Sequence, residues 1–453
     1  MISIKKKSTS ESASKSDGAS TGKRTSRNAR TFRTAALALA VGASLTVAPS
    51  ASAEPVLAVT TGALFNDPNS TDAAARGRIL SHLGGLVDGA ETGSSIRISL
   101  YLFQSVWLAE KLGVAHKRGV TVQVVVDADS RSTGLDTLKS RLADPAGSPD
   151  SWVRTCKPEE ACLAQDPGTT EADPNGTYDN VNHNKFFLFS RTKGKGDIAV
   201  DDVVVQGSGN LTSQDTDDWW NDALTVVGNT ALSGAYGQYF ADLAAAAAGQ
   251  APQVADYAHD TQAGKAKVYF FPRSGTDTVV NILGTVAPVG TPDSCGGNST
   301  GFGTTDGRTK IRIAQGHITR TEVARKLWEL AEAGCDIEIV YRSLDNWTAD
   351  DKPMGQVANW LTRPVTGKGR ITLHQLDNDK RGGSDTHTKY LLIEGTYYGG
   401  VDKKIVFTGS HTYTTTALRY NDETLLKYED AAVFDAYVKN FEAQRSAALT
   451  EGR

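Results

Sequence analysis

Apolar and polar positions follow the same order twice along the chain. From Ile96 the sequence runs IRISLYLF and then AEKLGVAHKRGVTVQVVVDAD; from Ile311, 215 residues later, it runs IRIAQGHI and then ARKLWELAEAGCDIEIVYRSLD. Alternation in each opening stretch predicts a strand, because successive strand side chains face opposite sides. The apolar positions that follow fall at helical spacing: Leu108, Leu112 and Ala115 in the first copy, Val323, Leu327, Leu330 and Ala331 in the second. Gly119 and Gly334 mark the helix stop, and a β-branched run follows. Each copy therefore reads as a βαβ unit with a parallel strand pair.

The ends of the copies agree too. NVNHNKFFLFS, VVVQGSGNLT and WWNDALTVV recur in order as DTHTKYLLIEG, IVFTGSHTYT and RYNDETLLK. Each block has a strand-like apolar core bounded by polar residues or glycine. The expected fold is α/β, with two similar domains related by pseudo-twofold duplication, each a mixed sheet flanked by helices. We place them at residues 54–250 and 251–453, divided where an alanine-rich helical tail gives way to GQAPQVADYAHDTQAG. Loop-like insertions at 144–180 and 285–308 are rich in Gly, Pro, Asp and Thr, and read equally as site walls or as surface decoration.

Composition changes the picture mainly at the N-terminus. Over the 453 residues, 39% are hydrophobic and 22% charged, which suits a folded chain. Residues 1–53 carry nine basic and two acidic side chains, then the short apolar run AALALAVGASLTV and an Ala51-Ser52-Ala53 site. That order predicts a secretory signal peptide over 1–53, since a spanning helix needs about 20 apolar residues. The net charge falls from −4 for the whole chain to about −11 without that segment, a poor footprint for nucleic acid, whose binders neutralise phosphates. We expect a secreted monomer with no transmembrane segment after cleavage and no nucleic-acid partner.

Four cysteines in an exported chain suggest disulfides. Cys156 and Cys162 suit a small stapled loop, which leaves Cys295 to pair with Cys335; four cysteines allow three connectivities.

Of eight histidines, only His183 and His387 have a lysine two positions on, Lys185 and Lys389, and both fall at equivalent places in the repeat. Positions i and i+2 of a strand share a face, so each imidazole and ammonium point into one space. Two opposed imidazoles supply a nucleophile for phosphorus and an acid for the departing alkoxide, and two lysines neutralise the non-bridging oxygens. No cofactor or metal is expected.

HNKFFLFS and HTKYLLIE, followed by GSGN and GSHT, resemble the duplicated HKD signature of the phospholipase D superfamily over most of residues 60–445. The resemblance implies a covalent phosphohistidine, with His183 as nucleophile and His387 as acid and then base; the reverse order is the alternative. It also implies that Ser208, Asn210 and Ser410 hydrogen-bond phosphoryl oxygens, and that Asp222 and Asp422 fix the histidine tautomers, with Glu423 as the alternative in the second half. The family aspartate seven residues after each histidine is replaced by Ser190 and Glu394, and Thr412 stands where asparagine is typical. Phe186, Phe187 and Phe189 read as core; Trp219 and Trp220 as site lining or core; His317 has no evident partner.

Three functions follow. The first is a secreted phospholipase D acting on a glycerophospholipid at a membrane or micelle surface, with hydrolysis of the head-group diester and transfer to alcohols. The others are a phosphodiesterase or nuclease on a non-lipid diester, and a binding protein that keeps the fold without catalysis.

Overall fold

The computed structural model describes residues 58–165, 180–288, 293–345, 356–377 and 383–451. The signal-peptide expectation falls on residues 1–53, outside the described residues.

Among the described residues, seventeen strands are labelled in chain order. The first sheet contains β1 (Gly62–Phe65), β2 (Ser95–Leu100), β3 (Thr121–Val126), β4 (Trp152–Thr155), β5 (Lys185–Thr192), β6 (Val200–Gly207) and β8 (Asp222–Val226), while β7 is the short Trp219–Trp220. The second contains β9 (Thr261–Ala263), β10 (Ala266–Phe270), β11 (Lys310–Ile318), β12 (Asp336–Leu344), β13 (Arg370–Gln375), β15 (Lys389–Tyr397), β16 (Gly400–Gly409) and β17 (Thr424–Glu429), while β14 is Asp385–Thr386. Their spatial orders are β4-β3-β2-β5-β6-β8-β1 and β13-β12-β11-β15-β16-β17-β10-β9. Strand for strand, the first order is repeated in the second, with β9 added at one edge. The same pairs are parallel in both, β2 with β3 and β4 beyond, β11 with β12 and β13 beyond. The duplicated mixed α/β fold expected from the sequence is present.

The βαβ units begin as the pattern predicts. Helix Val106–Lys117 starts at Ser105, whose side chain accepts the Leu108 N–H, and buries Leu108, Leu112 and Ala115. Helix Thr321–Glu332 buries Val323, Leu327, Leu330 and Ala331. After each, the chain needs a left-handed residue to turn into the next strand, and Gly119 (φ +86°) and Gly334 (φ +98°) supply it.

Strand alternation assigns side chains to separate cores. On β5, Phe187 and Phe189 join the outer core of the first sheet, while Phe186 and Leu188 enter a core shared by both sheets. On β16, Ile405 and Phe407 face outward and Val406 inward. Two long helices, Thr230–Ala247 and Ala431–Glu451, also fill the shared core, with Tyr236, Tyr239, Phe434 and Tyr437 fully buried. Residues 55–453 accordingly form one compact unit. Among the described residues, no helix is long and apolar enough to cross a membrane.

The cysteines pair as 156–162 and 295–335, with Cα separations of 4.6 and 5.1 Å.

Candidate active site

Each His-x-Lys segment is hydrogen-bonded to the opposite half of the molecule. The His183 N–H donates to the Asp422 carbonyl at 3.0 Å, and the Asp422 N–H to the Val181 carbonyl at 3.0 Å. In mirror fashion, β14 pairs with β7, and the His387 N–H donates to the Trp220 carbonyl at 3.0 Å. These exchanges tie the two motifs together at the junction of the sheets. Lys185 and Lys389 then open β5 and β15, where each ammonium donates to the carbonyl of its own histidine, at 2.7 and 2.5 Å. Both lysines are almost wholly buried.

The imidazoles are anchored through Nδ1, which leaves Nε2 as the ring atom available for chemistry. His183 Nδ1 lies 2.8 Å from Glu423 Oε1. His387 Nδ1 lies 2.9 Å from Asn221 Oδ1 and 3.1 Å from Asp215 Oδ1. The Tyr101 ring stands 5.5 Å from His183, and the Trp219 ring 4.7 Å from His387.

Asp222 and Asp422 are not those partners. The Asp222 carboxylate accepts from Thr408 and from Tyr437, the latter at 2.7 Å. The Asp422 carboxylate accepts the backbone N–H groups of Cys162, Leu163 and Ala164 at 2.8, 3.1 and 2.7 Å, clasping the small disulfide loop. Nor are the two equivalent: β6 pairs Gly207 with Ala223 and β16 pairs Gly409 with Leu425, so Asp222 corresponds to Thr424 and Asp422 to Trp220. The matching NDAL and NDET blocks are offset by two residues in the fold.

The serines stand one layer behind the histidines. Ser208 Oγ donates to Asn221 Oδ1 at 2.9 Å and accepts the Asp222 N–H at 2.9 Å. Ser410 Oγ accepts the Thr424 N–H at 3.0 Å and bonds Glu423. They hold the groups that hold the imidazoles. Asn210 lies beside them, its backbone N–H bonded to Asp215. Ser190 accepts the Ser95 N–H at 2.8 Å and Glu394 pairs with Arg312 at 2.9 Å, so both serve the sheets. Trp219 faces His387, whereas Trp220 is buried and donates to Ser384 at 2.8 Å. His317 does have a partner: its Nδ1 is 2.6 Å from Ser343 Oγ.

Electrostatics follow from burial of like charges. Burial and the neighbouring lysines hold His183 well below its ordinary value and lower His387 to about 3, which favours the neutral rings unless an anion offsets the lysines. Burial, with Lys389 adding to it, lowers Lys185 to about 7; burial lowers Lys389 to about 8 against the pull of Asp215 and Glu423. Burial raises Glu423 to about 8 against the pull of Lys185. Each histidine feels both lysines, which places the two pairs within electrostatic reach of one another. An anion placed there would offset the crowded positive charge. Among the described residues, no group of three or more His, Cys, Asp or Glu is arranged to hold a metal.

Residues 87–244 and 305–445 match the family model described as cardiolipin synthase, PLD-like domain. The chain belongs to this phospholipase D-like family. Members of the superfamily act on phosphodiesters, and the two matched segments hold six of the seven strands of the first sheet and six of the eight strands of the second. Among solved structures, phosphatidylserine synthase from Haemophilus influenzae aligns with a TM-score of 0.51 at 13% identity, over 85% of this chain and 86% of that one. Polyphosphate kinase from Porphyromonas gingivalis aligns with a TM-score of 0.50 at 13% identity, over 85% of this chain and 50% of that one. This chain thus spans about half the kinase's length, and at such identity the likeness is one of fold. No curated protein matches the chain.

Asp215 and Asn221 are the site residues that the sequence reading missed. Counting fourteen residues on from each GS serine, rather than aligning the ND pairs, sets Asp222 against Thr424 and hence Asn221 against Glu423. No local signal marks Asp215.

Proposed function

We propose that this chain is a secreted phospholipase D that hydrolyses the head-group phosphodiester of glycerophospholipids through a phosphohistidine. The observation that carries the reading is the cross-bonded pair of His-x-Lys segments, each with Nδ1 anchored and Nε2 left for chemistry. The diester anion binds between Lys185 and Lys389, whose charge offsets that of the phosphoryl oxygens. With the proton shared with Glu423 resting on Nδ1, His183 Nε2 attacks phosphorus. Once the bound diester anion offsets the two lysines, His387 takes up a proton at Nε2; the N–P bond then forms as the P–O bond to the head group breaks, and the departing oxygen keeps the electron pair and takes that proton. His387, now neutral, removes a proton from water, which attacks phosphorus and releases His183 with the phosphatidic acid. An alcohol in place of water gives transfer of the phosphatidyl group.

Two disulfides suit an oxidising compartment and support export. The acidic balance outside the first 53 residues favours lipid over nucleic acid. The test is to incubate the purified protein with phosphatidylcholine, phosphatidylethanolamine and plasmid DNA without added metal, following choline, ethanolamine and nicking. The reading expects release of a lipid head group, abolished in His183→Ala and in His387→Ala. Nicking alone favours a non-lipid diester, and no reaction with any of the three favours a binding protein.

A further inference from the structure

The two catalytic imidazoles are backed unequally, although the frame around them is duplicated. Ser208 holds Asn221 as Ser410 holds Glu423, so Asn221 and Glu423 occupy equivalent places behind His387 and His183. A carboxylate stabilises an imidazolium through its charge; an amide of the same shape supplies only a hydrogen bond.

A carboxylate reaches His387 by another route. Helix Ser213–Asp217 is capped by Thr212, and its counterpart Thr415–Arg419 by Thr414. The caps accept the N–H of Asp215 and of Ala417, each at 3.1 Å, which makes Asp215 and Ala417 equivalent. The first half thus pairs Asp215 with Asn221, and the second pairs Ala417 with Glu423. Each histidine keeps one carboxylate, but from a different element.

Asp215 is built into its place. It is buried, Thr212 Oγ1 donates to its Oδ2 at 2.6 Å, and Asn221 Nδ2 donates to its Oδ1 at 3.3 Å and to its carbonyl at 3.0 Å. These last bonds orient the amide so that Asn221 Oδ1 meets His387 Nδ1.

Resting on the phosphodiesterase reading above, we propose that Asp215 is the positioning carboxylate of His387, replacing the charge that Asn221 lacks and sustaining the imidazolium that protonates the leaving group. The groups facing His387 agree with this. Burial, Lys389 two residues on and Lys185 from β5 disfavour its cation, and Asp215 is the side chain that favours it. Burial opposes the Asp215 charge, yet His387, Thr212 and the Asn210 N–H outweigh it and hold the carboxyl below its ordinary range.

The test uses the full chain as Asp215→Asn, Asn221→Asp and the double variant, on two diesters that differ only in an alkyl or a nitrophenyl leaving group. Loss of acid assistance weighs on the poor leaving group, so Asp215→Asn should lower kcat about a hundredfold for the alkyl diester and less than tenfold for the nitrophenyl one. The double variant, which moves the carboxylate to position 221, should recover at least tenfold of the alkyl loss. A purely structural role predicts neither the leaving-group difference nor the recovery. Equal losses on both substrates without recovery, or no loss on either, overturn the proposal. Nitrogen-15 NMR of the histidine rings reads the same contact without turnover: the His387 pKa should fall in Asp215→Asn and rise again in the double variant. An unchanged His387 pKa overturns the proposal, whereas a wild-type chain that cleaves neither diester overturns the phosphodiesterase reading instead.

Discussion

Replacing Asp222 separates a structural carboxylate from a catalytic one. Its buried Oδ2 is the acceptor for both Thr408 Oγ1 and Tyr437 OH, residues of the second sheet and the C-terminal helix, so the side chain fastens β8 to the other half. Asp222→Ala leaves two buried donors unpaired, at about 1–3 kcal/mol each, and adds a small void, for a total of about 3–5 kcal/mol. Asp222→Asn keeps an oxygen where both donors converge, and should cost under about 2 kcal/mol. Equilibrium urea unfolding measures both, and activity per folded molecule is measured on the same samples. We expect graded loss of stability, with activity of the folded fraction within about tenfold of wild type. Asp222→Ala that unfolds like wild type but loses about a thousandfold in kcat would refute the reasoning and return Asp222 to the catalytic set.

Other consequences are testable in the same preparation. Lys185→Met and Lys389→Met should each lower kcat by about 10²–10³, because each ammonium acts on charge that builds at phosphorus; steady-state kinetics checks this. Because burial lowers Lys185 to about 7 and Lys389 to about 8, a bound anion that raises both should draw protons in. Calorimetry of dimethyl phosphate binding in buffers of different ionisation enthalpy should show proton uptake at pH 8, to which the two lysines contribute up to about 1.4 protons, and a much smaller lysine share at pH 6, where both are already charged; release at pH 8 would contradict it. Removing Cys295–Cys335, which closes the longer loop, should cost about 4 kcal/mol against about 2 kcal/mol for Cys156–Cys162. The smaller loop should nonetheless matter more for activity, since Asp422, next to Glu423, rests on the N–H groups of Cys162, Leu163 and Ala164.

The parts of the molecule written in local periodicity were legible from the sequence. Alternation and helical spacing gave the βαβ units, and repetition of blocks gave the duplicated sheets. The i, i+2 spacing put each histidine and lysine together. What escaped depends on pairing between distant segments. A two-residue offset keeps every side chain on the same strand face, so alternation cannot tell Asp422 from Thr424 as the counterpart of Asp222. The resemblance to the phospholipase D superfamily implies serines that face phosphate, but β8 and β17 draw their hydroxyls toward Asn221 and Glu423. Asp215 reaches His387 only because a five-residue helix turns back under the second motif, a long-range contact with no sequence mark.

The central claim is a covalent intermediate on His183. In His387→Asn, a diester with a nitrophenyl leaving group needs little acid help to form the adduct, and hydrolysis then lacks its base. After an alkaline quench and proteolysis, mass spectrometry should find the phosphoryl adduct on the peptide holding His183, and no adduct in His183→Asn. An adduct on the His387 peptide of His183→Asn, or a burst of nitrophenol with no phosphorylated histidine, would contradict the account.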